Sequence, residues 1–201
     1  MSRDTPDHPD AELQQRIHLL TELGLGESDE QFDAFAAELA TAFAAQLGEG
    51  GEVPYAMVNL VTSEQYFVGL HCPDDKGQVG RTMSRDHGYC PEVVRRRKAL
   101  VLPDVYAHPR FSTNKVADQI GIRTYAGAPL IHLDGTLLGT VCIVGTTGLP
   151  LSTGKSSLAL IKDHAKRLMQ LIDGGLGHHT TDHQSAGYQG ALTRDRRRPR
   201  R

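Results

Sequence analysis

Residues 123–144 constrain the fold most. Two apolar arms of β character, 123–132 and 136–144, flank Leu133-Asp134-Gly135. Asp and Gly tolerate the positive φ of a tight turn, so the segment predicts a β-hairpin. Pro129 has no N–H to give to a ladder and predicts a sheet edge or a bulge in the first arm. Upstream, residues 53–62 are apolar on both faces at their middle, as in a buried central strand. Residues 64–71 alternate through Tyr66, Val68 and Leu70, and the short Thr62-Ser63-Glu64 link makes the pair a second hairpin. Residues 99–103 add a brief strand.

Helical stripes enclose these strands. Leu13, Ile17 and Leu20 are spaced for a helix over 10–23, with Asp10 as its cap and Gly24 as its stop. Phe32, Phe35, Leu39, Phe43 and Leu47 form a second stripe, and Ser28 with Gln31 reads as a capping box before it. Residues 87–97 suit a short helix. Leu158, Ile161, Ala165, Leu168 and Ile172 mark a long last helix over 153–173, closed by Gly174-Gly175. An antiparallel sheet with helices gathered on its faces, an α+β fold, accommodates this order. One domain spans 10–173, and the ends, 1–9 and 174–201, lack any core-forming pattern and are expected to be disordered.

Composition narrows the function classes. Apolar residues make up 39% and charged residues 23% of the chain, in the range of a globular protein. Three widely spaced cysteines, Cys72, Cys90 and Cys142, with no CxxC, argue against a disulfide framework and for a reducing compartment. No apolar run follows the first charges, and none is long enough to span a bilayer. The chain is therefore expected in the cytoplasm, with no membrane association. Its last eight residues hold six arginines and one aspartate, while the net charge is −2. That end could touch a polyanion or simply be solvated, and the acidic body argues against nucleic acid as a main ligand.

Several motifs recur in a telling order. Asn59-Leu60-Val61-Thr62 and Tyr66-Phe67-Val68-Gly69-Leu70 come first. Arg81 to Cys90 follows, then Ala99-Leu100-Val101-Leu102-Pro103-Asp104-Val105 and His108-Pro109-Arg110-Phe111. The series ends with Ile122 to Leu130 and Leu138-Gly139-Thr140-Val141-Cys142-Ile143. Over about residues 14 to 172 the chain resembles GAF domains, especially bacterial ones beside histidine kinases and cyclic-dinucleotide enzymes. The resemblance implies a central antiparallel sheet of five to six strands with the terminal helices together on one face. On the other face it implies a connector folded over a pocket for a small molecule. It also implies dimerisation through the terminal helices, and a histidine kinase or other signalling protein as partner.

Candidate residues follow from both lines of reasoning. Cys90 comes after a loop carrying Arg81, Arg85 and His87, whose charge would favour a thiolate; the alternative is an inert buried thiol. Cys142, in an apolar strand, reads as core, and Cys72 as a loop residue. Asp104, His108, Arg110 and Phe111 bring a carboxylate, an imidazole, a guanidinium and a ring onto the connector, with Arg123 and Tyr125 beginning the next strand. Such a mixture orients a polar ligand in an apolar cleft. The alternative has Asp104 capping a turn, Asp104 or another carboxylate pairing with Arg110, and Phe111 and Tyr125 as core. The expected ligand set is Tyr89, Cys90, Asp104, His108, Phe111, Arg123 and Tyr125.

No metal is expected. His71, Cys72, His87 and Cys90 match no zinc spacing, and His178, His179 and His183 sit in the glycine-rich end. Free methionine sulfoxide reductases of the family use a connector cysteine, and 104–122 holds none. Asn114-Lys115 lacks the phenylalanine that cyclic-nucleotide binders carry after it, and no Cys-His pair is available for a bilin. The sequence names no cofactor. The expectation is a stand-alone, non-enzymatic sensor for a small molecule or a redox state, with a thiol-dependent redox enzyme or a ligand-free scaffold as alternatives.

Overall fold

The computed structural model describes residues 9–49, 51–114 and 121–175. Two N-terminal helices, α1 (Pro9–Glu22) and α2 (Glu30–Leu47), precede the hairpin β1 (Tyr55–Val61) and β2 (Glu64–His71). A short strand β3 (Thr82–Ser84), helix α3 (Cys90–Arg96) and strand β4 (Leu100–Leu102) follow. A single helical turn, Val105–Ala107, then leads towards the second hairpin, β5 (Thr124–Ile131) and β6 (Leu137–Gly145), and helix α4 (Gly154–Asp173) ends the fold. The expected disordered ends lie outside the described residues, apart from Pro9, Gly174 and Gly175.

Every strand pairing is antiparallel, in the order β3-β2-β1-β6-β5-β4. The long hairpin arms hold the centre, and the edges are three-residue strands that offer little to pair with another chain. The Asp-Gly hairpin forms as expected: Gly135 has φ 89°, and Asp134 Oδ1 accepts from the Thr136 N–H at 2.7 Å. Pro129 faces Thr140 of β6, and β4 pairs only with Tyr125 to Gly127, so β5 is an edge where the proline sits. A bulge follows between Leu130 and Ile131.

Two local expectations change. Strand β3 falls in a segment without strand-like alternation; it forms because Glu64, Gln65 and Tyr66 of β2 supply its ladder. The cap of α2 is Asp29 rather than Ser28, its Oδ1 accepting from the Gln31 N–H at 2.7 Å. A carboxylate there also meets the positive end of the helix dipole.

The sheet has two covered faces. On one, Ala56, Val58, Leu60, Ala126, Ala128 and Ile143 meet the stripes of α1, α2 and α4 in the larger core. Leu39 and Leu168, both at 0% exposure, lie at its centre, and burying one such side chain is worth about 1.5–3 kcal/mol. Arg16 of α1 is also buried, donating to the Leu137 and Val61 carbonyls and so fastening the helix across the ends of β6 and β1. The terminal helices thus share one face. The opposite face carries Met57, Phe67, Tyr125, Cys142 and Val144, covered by α3 and the connectors.

Candidate functional site

The second face is built by strand parity. Met57 and Asn59 of β1, Gln65 and Phe67 of β2, Thr140, Cys142 and Val144 of β6, and Tyr125 of β5 point the same way, because alternate residues of a strand share a face. A polar clamp on this face then sets the path of the chain. Asn59 Nδ2 donates to Gln65 Oε1 at 2.8 Å, and Gln65 Nε2 donates to the Ser84 and His87 carbonyls at 2.7 and 2.8 Å. Gln65 is 1% exposed, so these bonds form in a dry environment where leaving them unmade is costly. They hold the chain before α3 over the sheet. Pro91 in the first helical turn, with its φ already set for a helix, then fixes the start of α3 at Cys90.

Between α3 and the sheet lies a cavity of about 70 Å³. Met57, Phe67, Met83, Tyr89, Tyr125 and Val144 give it apolar walls, and Cys90 and Cys142 both open onto it. The Sγ atoms of these cysteines are 3.5 Å apart, Tyr125 Oη donates to Cys90 Sγ at 3.4 Å, and Cys142 Sγ lies 3.8 Å from Met57 Sδ. Tyr89 stacks at a tilt on Tyr125 with ring centroids 5.2 Å apart, and Phe111 meets Tyr89 edge-on at 6.2 Å. An aromatic row therefore runs from the connector to the cavity wall. Tyr89 Oη donates to the Phe111 carbonyl at 3.1 Å, and Asn114 Nδ2 donates to the Gly88 carbonyl at 2.7 Å, tying the connector to the start of α3.

The electrostatics single out one sulfur. Hydrogen-bonding groups of Cys142, Tyr125 and Asn59 converge on Cys90, with the Cys142 thiol foremost, and they outweigh burial to hold the Cys90 thiol down at about 6. The same neighbour pushes Cys142 well above the usual thiol range, with burial adding to it, and burial raises Tyr125 well above the usual phenol range. Thr140 Oγ1 and Asn59 Oδ1, both on fully buried side chains, have no hydrogen-bond partner among the described residues. Arg81 does not supply the charge expected from the sequence: it makes a two-bond pair with Asp33 of α2 at 3.0 and 2.7 Å. Arg85 and His87 face outwards.

Of the residues singled out from sequence, the structure brings Tyr89, Cys90 and Tyr125 to the cavity. Phe111 stands behind Tyr89, and His108 is exposed, edge-on to Phe111 at 6.4 Å. Asp104 and Arg123 form their own unit away from the cavity lining. Asp104 caps the following turn by accepting from the Tyr106 N–H at 3.0 Å, and Arg123 pairs with it at 2.6 Å while lying 5.1 Å over the Tyr106 ring. Of the carboxylates expected to pair with Arg110, it is Glu92 rather than Asp104 that does so, at 2.9 Å. Cys142, read from sequence as core alone, is core and cavity wall at once, because α3 sets Cys90 against it. Met57, Gln65 and Phe67 were legible only as strand residues; the polar Asn59, Gln65 and Thr140 at matching parity were the signal for this face. Among the described residues no group of three or more His, Cys, Asp or Glu side chains could hold a metal ion. The histidines at 178, 179 and 183 lie outside the described residues, as does Lys115.

The Asp104–Arg123 pair makes a testable contrast. Hydrogen bonding from Arg123 holds the Asp104 carboxyl below its usual range. A depressed carboxyl contributes stability above its unfolded value and loses it as pH falls through the folded one. Denaturant unfolding of Asp104→Asn is therefore expected to show a small loss against the parent chain at neutral pH. The two curves should converge in acid, with the Cys90 thiol unchanged in reactivity.

Comparison with known proteins places these features in context. The GAF domain model matches residues 36–172. A cyclic di-GMP phosphodiesterase of Pseudomonas aeruginosa is 28% identical over 147 residues, covering 70% of this chain and 22% of that protein. The chain thus spans about a fifth of that relative's length. A GAF domain region of a Geobacter sulfurreducens membrane protein superposes with a TM-score of 0.54 at 16% identity, over 81% of this chain and 98% of that one. The free methionine-R-sulfoxide reductase of Neisseria meningitidis, solved with its substrate, gives 0.51 at 16% identity over 88% and 97%. At such identities the solved structures speak for the fold alone. Among the described residues no helix is long and apolar enough to cross a membrane.

Proposed function

This chain belongs to the GAF domain family, and from that premise we propose that it is a sensor module whose input is a small molecule held between α3 and the sheet. The observation that carries the reading is the cavity itself. A space of about 70 Å³ interrupts a core that is otherwise close-packed, where voids larger than a water molecule are few. Unpartnered buried oxygens on Thr140 and Asn59 lie on the same face of the sheet as the cavity walls. Size limits the ligand. The space is well short of the ~300–1,000 Å³ of pockets for drug-sized ligands. It suits a molecule of a few heavy atoms rather than a nucleotide. The output would leave through the helices on the far face, where α4 presents exposed Leu158 and Leu171 to a partner, a second copy of the chain or a signalling protein. No described group beyond the sulfur pair offers catalytic chemistry, so binding rather than turnover is the reading.

Xenon, a small apolar probe, tests the cavity directly. With methyl-labelled methionine, the Met57 and Met83 resonances are expected to shift progressively with xenon pressure, and Val144→Phe, which fills the space, should abolish most of the response. Native mass spectrometry of freshly purified protein checks for a retained natural ligand. Methionine signals unmoved by xenon in a protein that carries no retained ligand would sink the sensor reading.

A further inference from the structure

We propose that Cys90 and Cys142 are a redox couple: a small hydroperoxide entering the cavity oxidises Cys90, and Cys142 resolves it to an intramolecular disulfide. The inference deepens the sensor reading, on which it rests for access to the site, by naming the input as a two-electron oxidant. Three observations support it. The two sulfurs are 3.5 Å apart, on α3 and on the central strand β6, although 52 residues separate them in sequence. Bonding distance for a disulfide is about 2.05 Å, so side-chain rotation has only about 1.5 Å to close. Both cysteines line the cavity, so an oxidant of two to four heavy atoms meets them without unfolding. Donors from three strands surround Cys90: the Tyr125 hydroxyl of β5, the Cys142 thiol of β6 and the Asn59 amide of β1.

That asymmetry assigns the roles. Cys90 is the sulfur whose thiolate is favoured, and Cys142 is the one that keeps its proton. The Cys90 thiolate attacks the hydroxyl oxygen of the hydroperoxide; an S–O bond forms, the O–O bond breaks, and the departing hydroxide or alkoxide takes up the proton that Cys90 released, leaving as water or an alcohol. Cys90 is then a sulfenic acid. The Cys142 sulfur attacks the Cys90 sulfur as its own proton leaves; the S–S bond forms, the S–O bond breaks, and hydroxide with that proton departs as water. Two thiols have lost two electrons and the peroxide has gained them. A dithiol reductant restores the pair by exchange and becomes a disulfide itself. The bond would clamp α3 onto the sheet across the cavity, which gives the oxidation a structural consequence. Cys72, partly exposed and outside the cavity lining, is an internal control.

Peptide mapping of the reduced full chain after brief treatment with hydrogen peroxide tests the proposal. The expected product is a Cys90–Cys142 linked peptide, lighter by two hydrogens, reversed by dithiothreitol, with Cys72 still open to alkylation. In Cys142→Ser, a 1,3-dione probe should trap the sulfenic acid on Cys90; in Cys90→Ser, neither product should form. Because the mapping uses the parent chain, it stands even if a variant folds poorly. Free Cys90 and Cys142 after excess peroxide, or linkage through Cys72 alone, would overturn the couple. The xenon titration keeps the two ideas apart. A responsive cavity without the linked peptide removes the couple and leaves the sensor, whereas a linked peptide in a chain that takes no xenon does the reverse.

Discussion

Replacing Gly69 by alanine is expected to lower the stability of the chain by about 3 kcal/mol, a large share of what a domain of this size has to lose. Gly69 lies on β2 where the first turn of α2 rests on the sheet. A Cβ there would sit 2.7 Å from the carbonyl carbon of Phe32 and 2.8 Å from its Cβ, and would meet its carbonyl oxygen. The helix cannot retreat, because it is pinned on both sides of the contact: the Asp29 N–H donates to the Val68 carbonyl at 3.2 Å, and Asp33 Oδ1 accepts from the Leu70 N–H at 2.7 Å. Alanine must therefore move backbone rather than a flexible side chain. Denaturant unfolding followed by circular dichroism measures the effect, with Gly26→Ala, which has nothing within 4 Å of the added carbon, as the neutral comparison. Equal midpoints for the two variants would mean that α2 does not sit this close to the strand.

Tyr125→Ala should cost about 4 kcal/mol, since a large aromatic at 1% exposure would leave a second void beside the first. Tyr125→Phe separates packing from chemistry. It keeps the ring against Tyr89 and removes only the hydroxyl that donates to Cys90 Sγ, a loss of about 1 kcal/mol. With one donor gone, the Cys90 titration should move up from about 6. In practice the pH at which alkylation of Cys90 reaches half its maximal rate rises in Tyr125→Phe. The sign for stability is also determined. A thiol depressed from 9.0 to about 6 on folding binds its proton more weakly in the folded chain. Its contribution is therefore complete above about pH 9, shrinks as pH falls, and is gone below about 6. Tyr125→Phe should flatten that slope; an unchanged alkylation profile would show that the tyrosine hydroxyl does not govern the sulfur.

Much of the fold is legible in the sequence because its signals are local. The Asp134-Gly135 turn, the alternation from Tyr66 to Leu70 and the stripe from Phe32 to Leu47 each depend on residues a few positions apart. Strand β3 and the Asp29 cap were not legible, for opposite reasons. The strand has no pattern of its own and borrows its ladder from β2. At the cap, Ser28 and Asp29 are both competent residues, and the choice depends on how the chain arrives from α1.

The site divides along the same line. Strand periodicity determined that Met57, Asn59, Thr140 and Cys142 lie on common faces of their strands, and the apolar stripes determined that helices must cover the sheet. Only the tertiary structure decided which covering element meets which residue. Antiparallel pairing places Met57 opposite Cys142, and the Gln65 clamp guides α3 until Cys90 stands over that pair. Asp104 instead caps its own turn and pairs with Arg123, away from the cavity lining. Periodicity specifies a direction for each side chain but not its neighbour, and proximity between residues far apart in the chain is created by packing alone.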